Sequence, residues 1–208
     1  MKLLQFSLLL LFSFSFAQVE EKIQFNWDSI AQLQDIKGVN GAYTGVHNDV
    51  FIIAGGANFP GTPVWDGGNK AWYNSIAVLK KNRETFEWVK GIENQLPRPL
   101  AYGASVSTPQ GVLCIGGNNE DGTYNDVFLL KWNPVSERVE IEEQAPLPVP
   151  LANMQATSIG KDIYVVGGQE ESGGRASKYF FRYRNDKWEE LPGLPGPGRI
   201  QLSGCKSK

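Results

Sequence analysis

One short stretch, written three times, constrains this chain more than any other feature: Phe51-Ile52-Ile53-Ala54-Gly55-Gly56, Val112-Leu113-Cys114-Ile115-Gly116-Gly117 and Ile163-Tyr164-Val165-Val166-Gly167-Gly168. Each is an apolar, mostly β-branched run that stops at two glycines. That is the pattern of a buried strand entering a backbone turn that side chains would obstruct. The pairs begin at 55, 116 and 167, steps of 61 and 51 residues, and an insertion from Asn58 to Asn74 accounts for the longer step.

The same order of strands can be read around each copy. The first unit runs Ala42 to Val46, a turn at His47-Asn48-Asp49, Val50 to Ala54, Ser75 to Leu79, and Thr85 to Val89. The second runs Tyr102 to Ser107, Val112 to Ile115, Asp126 to Trp132, and Val139 to Glu142. The third runs Met154 to Ile159, Ile163 to Val166, Lys178 to Tyr183, and a stretch around Trp188. Leu96-Pro97-Arg98-Pro99 and Pro146-Leu147-Pro148 close the first two, since proline cannot sit inside a central strand. Four strands per unit at a period of about 50 residues is the signature of a β-propeller blade.

Composition excludes several classes of function. Lys and Arg total 20 against 22 for Asp and Glu, with no block of like charge, so neither nucleic acid nor an anionic membrane surface is an expected partner. His47 is the only histidine, which speaks against a zinc site and against Ser-His or Cys-His nucleophiles. Gly55-Gly56 is followed by no Gly-Lys-Ser/Thr, and no flavin motif is present, so no cofactor and no metal are expected. Cys114 lies in an apolar run and Cys205 near the end, each read as an isolated small hydrophobe.

The chain opens with Met1-Lys2, an apolar run from Leu3 to Phe16, and small residues at Ser15 and Ala17. This reads as a signal peptide over residues 1–17, cleaved after Ala17, and hence as a periplasmic or secreted protein. A membrane anchor is the alternative, but the run is shorter than the ~20 residues a spanning helix needs.

The residues also carry a family resemblance. Diglycine after an apolar run, an aromatic several residues on (Tyr73, Tyr124, Tyr179), a later tryptophan and a Leu-Pro connector resemble kelch repeats. Ile52 to Phe59, then Gly68-Asn69-Lys70-Ala71-Trp72-Tyr73, Leu96-Pro97 and Ala101-Tyr102-Gly103, resemble one blade of the sialic acid mutarotases, or N-acetylneuraminate epimerases, in their cyclically permuted branch. The resemblance implies a six-bladed ring, of which about three four-stranded blades are expected here: residues 38–97, 98–148 and 149–197. Residues 18–37 would carry an orphan strand that closes the last blade, and 198–208 the first strand of a truncated fourth. The expected fold is thus all-β, an incomplete kelch-type propeller whose C-terminal half is missing. Self-association of two halves into a ring is the alternative.

Loops that follow the diglycines and the connectors between blades converge on one face of such a ring. That gathers Asn58, Phe59, Arg98, Asn118, Asn119, Glu120, Gln169, Glu170, Arg175 and Arg199 as candidate substrate-binding residues. Arginine forks suit a carboxylate, and amides suit hydroxyls and an acetamido group, which fits sialic acid or a related sugar. The same stretches are also ordinary turn sequences. Arg98 and Arg199 are read as sharing one connector position. The family's glutamate and arginine, within an Asn-Gly-Glu…Pro-Gly-x-Arg stretch, have no counterpart here; Gly168 to Arg175 echoes it without the proline. The catalytic residues are therefore expected beyond Lys208, and the chain alone is expected to be inactive. A noncatalytic kelch module that binds a glycan or protein is the second reading.

Overall fold

The structure is a computed structural model that describes residues 38–83, 85–92 and 94–202. The signal segment, the strand expected around Trp27 and Cys205 lie outside the described residues.

The described residues are all-β, with one short 3-10 turn at Val64–Asp66. In chain order the strands are β1 (Tyr43–His47), β2 (Val50–Ala54), β3 (Ala57–Asn58), β4 (Ala71–Trp72), β5 (Ile76–Asn82), β6 (Thr85–Trp88), β7 (Ala104–Thr108), β8 (Gly111–Asn118), β9 (Thr123–Asn133), β10 (Arg138–Glu143), β11 (Ala152–Ile159), β12 (Asp162–Gln169), β13 (Phe180–Arg184) and β14 (Lys187–Glu190). They form three antiparallel four-stranded sheets, β1-β2-β5-β6, β7-β8-β9-β10 and β11-β12-β13-β14, each a meander in sequence order. A small fourth sheet pairs β3 with β4 inside the insertion. These are successive blades of an incomplete kelch-type propeller.

Strand periodicity explains how the blades stack. On β8, Val112 and Cys114 join a core shared with Tyr43, Ile52, Val78 and Leu100 of the first blade and its connector. Leu113 and Ile115 point the other way, into a core with Met154, Val165 and Phe181 of the third. Successive side chains on a strand leave opposite faces, so a strand apolar at every position is one buried on both sides. Each fully buried aliphatic side chain contributes about 1.5–3 kcal/mol.

The diglycines hold the blades in register. The Gly55, Gly116 and Gly167 backbones have φ of +67°, +58° and +69°, in the left-handed region, and Gly116 sits in a register shift of the β8–β9 ladder. The second glycine of each pair donates its N–H to the connector that leads to the next blade: Gly56 to Leu100 O, Gly117 to Leu151 O and Gly168 to Arg199 O, each at 2.8 Å. A Cβ on Gly116 would lie 2.3 Å from Leu151 O, so no side chain fits.

A second set of main-chain bonds links the entries to the inner strands. Tyr102 N donates to Gly41 O, Asn153 N to Tyr102 O and Gln201 N to Asn153 O, at 2.7–2.8 Å. All four residues have positive φ. In this register Leu202 corresponds to Gly103, the residue before β7. The residues that correspond to β7 in the expected fourth blade therefore lie outside the described ones.

Candidate functional site

The insertion Asn58 to Asn74, the other diglycine loops and the connectors meet at the end of the blades where the inner strands begin. Within the insertion, β3 and β4 pair Ala57 with Trp72 and Asn58 with Ala71, which turns a long loop into a ribbon. Asn58 Nδ2 donates to Gly38 O at 3.2 Å, and Tyr73 donates its hydroxyl to Asn58 Oδ1 at 2.7 Å. The ribbon brings Lys70 to the entry of the second blade, where its Nζ lies 4.5 Å from the Tyr102 ring centroid, 5.2 Å from Trp72 and 5.9 Å from Phe59.

The second blade repeats the arrangement in shorter form. Asn119 Nδ2 donates to Pro99 O, while Asn119 Oδ1 accepts from Asp121 N and from the Tyr124 hydroxyl at 3.1 Å. In the third blade the Tyr179 hydroxyl donates to Glu170 Oε1 at 3.1 Å. Burial, then that hydrogen bond, pushes the Tyr179 phenol up, so it remains a donor at neutral pH. Asn58, Asn119 and Glu170 thus hold one repeat position, three residues after the first glycine, and each is engaged by a tyrosine.

The remaining sequence-derived candidates divide by environment. Asn118 and Gln169 are buried at 4% and 6% exposure, next to the diglycines; the Asn118 Oδ1 has no hydrogen-bond partner among the described residues. Glu120 and Arg175 are exposed on loops. Arg98 lies 4.5 Å over the Tyr124 ring and 3.6 Å from Asp126, so its charge already has a carboxylate.

Two sequence alignments are corrected by the backbone. Leu100 N, Leu151 N and Arg199 N donate to Tyr73 O, Tyr124 O and Ser177 O. Arg199 is therefore the counterpart of the buried Leu100 and Leu151, not of Arg98. Ser177, not Tyr179, is the counterpart of Tyr73 and Tyr124. Tyr179 stands two residues further on and only its long side chain reaches the equivalent acceptor.

Lys70 was not among the sequence candidates. Its neighbours Phe59, Trp72 and Tyr102 were all visible as part of the mutarotase-like stretch, but their convergence depends on the β3–β4 pairing. Among the described residues no three His, Cys, Asp or Glu side chains come together as a metal site requires, and no helix is long and apolar enough to cross a membrane.

Four-stranded meanders hinged at diglycines, with loops and connectors gathered at one end, define a kelch-repeat protein, and a Kelch motif model matches residues 150–195. A family model described as N-acetylneuraminate epimerase matches residues 15–139, more than half of the chain. The chain belongs to the N-acetylneuraminate epimerase family. It is similar to proteins of that name from Brucella suis, at 35% identity over 126 residues (55% of this chain, 32% of that protein), and from Vibrio cholerae, at 38% over 101 residues (47% and 26%). One from Yersinia enterocolitica is 35% identical over 108 residues, 46% of this chain and 26% of that protein. The chain matches about a third or less of the length of these curated relatives.

Proposed function

We propose that this chain supplies part of the sugar-binding face of a sialic acid mutarotase, which interconverts the anomers of N-acetylneuraminate. The observation that carries the reading is a coincidence of two kinds of support. The stretch shared with the family includes the insertion and Ala101-Tyr102-Gly103, and these are the segments that the fold brings together around Lys70, Asn58 and Tyr102.

Mutarotation needs a proton delivered to and removed from the anomeric hydroxyl and ring oxygen, work for a carboxylate with a hydrogen-bonding or cationic partner. Glu120 and Glu170 are the carboxylates among the candidate residues; Glu170 is exposed and holds Tyr179, and the sequence given has no Asn-Gly-Glu…Pro-Gly-x-Arg stretch. The chain therefore binds the sugar without turning it over, and the acid–base pair belongs to another part of the full protein. Export, with cleavage after Ala17, places the reaction outside the cytoplasm, where sugar is taken up.

The test is NMR of N-acetylneuraminate with the purified chain. Saturation transfer from protein to sugar is expected, with anomer exchange no faster than in buffer. Absence of any transfer refutes the sugar-binding reading, and accelerated exchange refutes the inactive one. Mass spectrometry of the exported protein should find Gln18 first.

The second reading, a noncatalytic module that docks a glycan or protein, is favoured by one observation: Trp65, at the tip of the insertion, is 81% exposed beside an exposed Val64. Substituting Trp65 separates the two, because sugar binding at the Lys70 face does not require it.

A further inference from the structure

We propose that Lys70 is the carboxylate anchor of this face, an ammonium that an aromatic cage holds in place without a counter-ion, leaving the sugar acid to supply one. The assignment rests on the sialic acid reading above and deepens it.

The cage is assembled from separate parts of the chain. Phe59 follows β3, Trp72 lies on β4, and Tyr102 stands at the entry to the second blade, where its N–H and carbonyl are both taken by the main-chain bonds to Gly41 and Asn153. Tyr102 is thus fixed by the fold, not by its side chain. A ring face attracts an ammonium through its quadrupole, but it neither cancels the charge nor offers the lone pairs that three N–H donors can use. Lys70 is half-buried, so water does not surround it on all sides.

Lys70 also lacks the carboxylate partner that Arg98 possesses. Among the described residues no carboxylate lies within ion-pair distance of its Nζ and no acceptor hydrogen-bonds to it, whereas Arg98 is already committed to Asp126. Arg175 and Arg199 have no ion pair among the described residues either, but both are exposed, where solvent and salt screen their charge. A partly desolvated ammonium with free donors and a fixed position is the better anion site. A carboxylate satisfies it in charge and in hydrogen bonding together; a neutral sugar offers only uncharged acceptors.

The experiment compares N-acetylneuraminate with its methyl ester, which keeps the ring and acetamido group and removes the charge. Both are titrated by NMR against the full chain and the Lys70→Met and Lys70→Arg variants. The unmodified chain should bind the acid about ten-fold or more tightly than the ester, with a preference that shrinks as NaCl is raised. Lys70→Arg should keep the preference. Lys70→Met should bring the acid down to the affinity of the ester, and a denaturation transition as cooperative as that of the unmodified chain shows that the variant is folded. A Lys70→Met chain that still prefers the acid, or an acid affinity in the unmodified chain indifferent to salt, overturns the Lys70 assignment and leaves the sugar reading standing. Failure of the unmodified chain to bind either compound overturns both.

Discussion

The middle blade has two neighbours, and it is joined to them by different means. Toward the first blade the junction is tied by polar groups. The Tyr43 hydroxyl donates to Gly116 O, His47 Nδ1 accepts from Trp132 N at 2.9 Å, and Asn48 Nδ2 donates to Trp132 O at 2.9 Å. Ser105 Oγ both accepts from Thr44 N and donates to Thr44 O, and Ser107 Oγ accepts from Val46 N. Toward the third blade, the junction is closed by rings. Phe181 stacks on Tyr179 at 5.3 Å and meets Trp188 edge-on at 6.5 Å, with Tyr183 4.8 Å from Trp188. Trp188 Nε1 to Ala145 O, at 2.8 Å, and Tyr183 to Gln144 cross there as side-chain hydrogen bonds. Both junctions bury an apolar core, but the first adds the larger set of directional side-chain bonds, and His47 among them makes that junction the one that responds to pH.

The largest expected effect probes the ring-filled junction. Phe181→Ala removes a fully buried ring at its centre and should lower stability by about 3–5 kcal/mol in chemical denaturation. A loss no larger than that of an exposed ring such as Phe86 would mean that this junction does not hold the third blade.

Next comes the hinge that both junctions share. Gly116→Ala places a Cβ 2.3 Å from Leu151 O and 2.5 Å from Met154 Cε at φ +58°, and should cost about 2–3 kcal/mol or more. Gly173→Ala is the control. Its φ of +74° is also left-handed, but nothing stands within 4 Å, so about 1 kcal/mol is expected.

Tyr43→Phe sharpens the contrast in directional bonding. It keeps the edge-on contact with Phe128 at 5.6 Å and deprives the Gly116 carbonyl of its buried donor, at a cost of about 1–2 kcal/mol. Trp188→Phe, which removes the half-buried indole bond to Ala145, should cost no more than about 1 kcal/mol. If the second loss exceeds the first, the polar and apolar assignment of the two junctions is reversed.

The smallest effect is a pH dependence confined to the polar junction. Burial, with nearby Lys131 second, lowers the His47 pKa, and its Nδ1 accepts from Trp132 N–H, a bond that the protonated imidazole cannot make. A depressed folded value means that this contribution is fully present above the unfolded pKa of about 6.5 and is lost as pH falls through the folded one. Melting curves of the unmodified chain and His47→Gln should diverge between pH 7.5 and 5, with the unmodified chain losing more. Glu142 and Asp162, whose carboxyls are held low by hydrogen bonds from Lys131 and Arg184, titrate in both and cancel in the difference. Parallel curves would show that His47 is not a latch.

What could be read beforehand follows from the same physics. β2, β8 and β12 announced themselves because strands apolar at most positions and ended by two glycines have few other uses, and the strand order followed from their spacing. The β3–β4 ribbon did not, since two-residue pairs have no periodicity; Asn58 to Asn74 looked only like an insertion. Tyr179 was matched to Tyr73 and Tyr124 by residue type, yet Ser177 is the backbone counterpart, and Arg199 was matched to Arg98 by residue type, yet it stands five residues after Leu194 where Arg98 stands two after Leu96. Four of the ten candidate site residues, gathered by loop position, make contacts within the fold that the sequence did not show: Asn58, Asn119 and Glu170 with tyrosines, Arg98 with Asp126. Lys70 was hidden because its surroundings come from sequence positions on both sides of the insertion and from the next blade.

The main-chain bonds that run from Gly41 to Tyr102, Asn153 and Gln201 use no side-chain atom and ask only that each place tolerate a left-handed backbone, and four residue types occupy the four places. Within that backbone limit, exchange at Tyr102, Asn153 or Gln201 leaves the main-chain bonds in place while it changes what the loop end of the blades presents. A protein built this way can be re-dressed for a different ligand a residue at a time, without its architecture having to be reinvented.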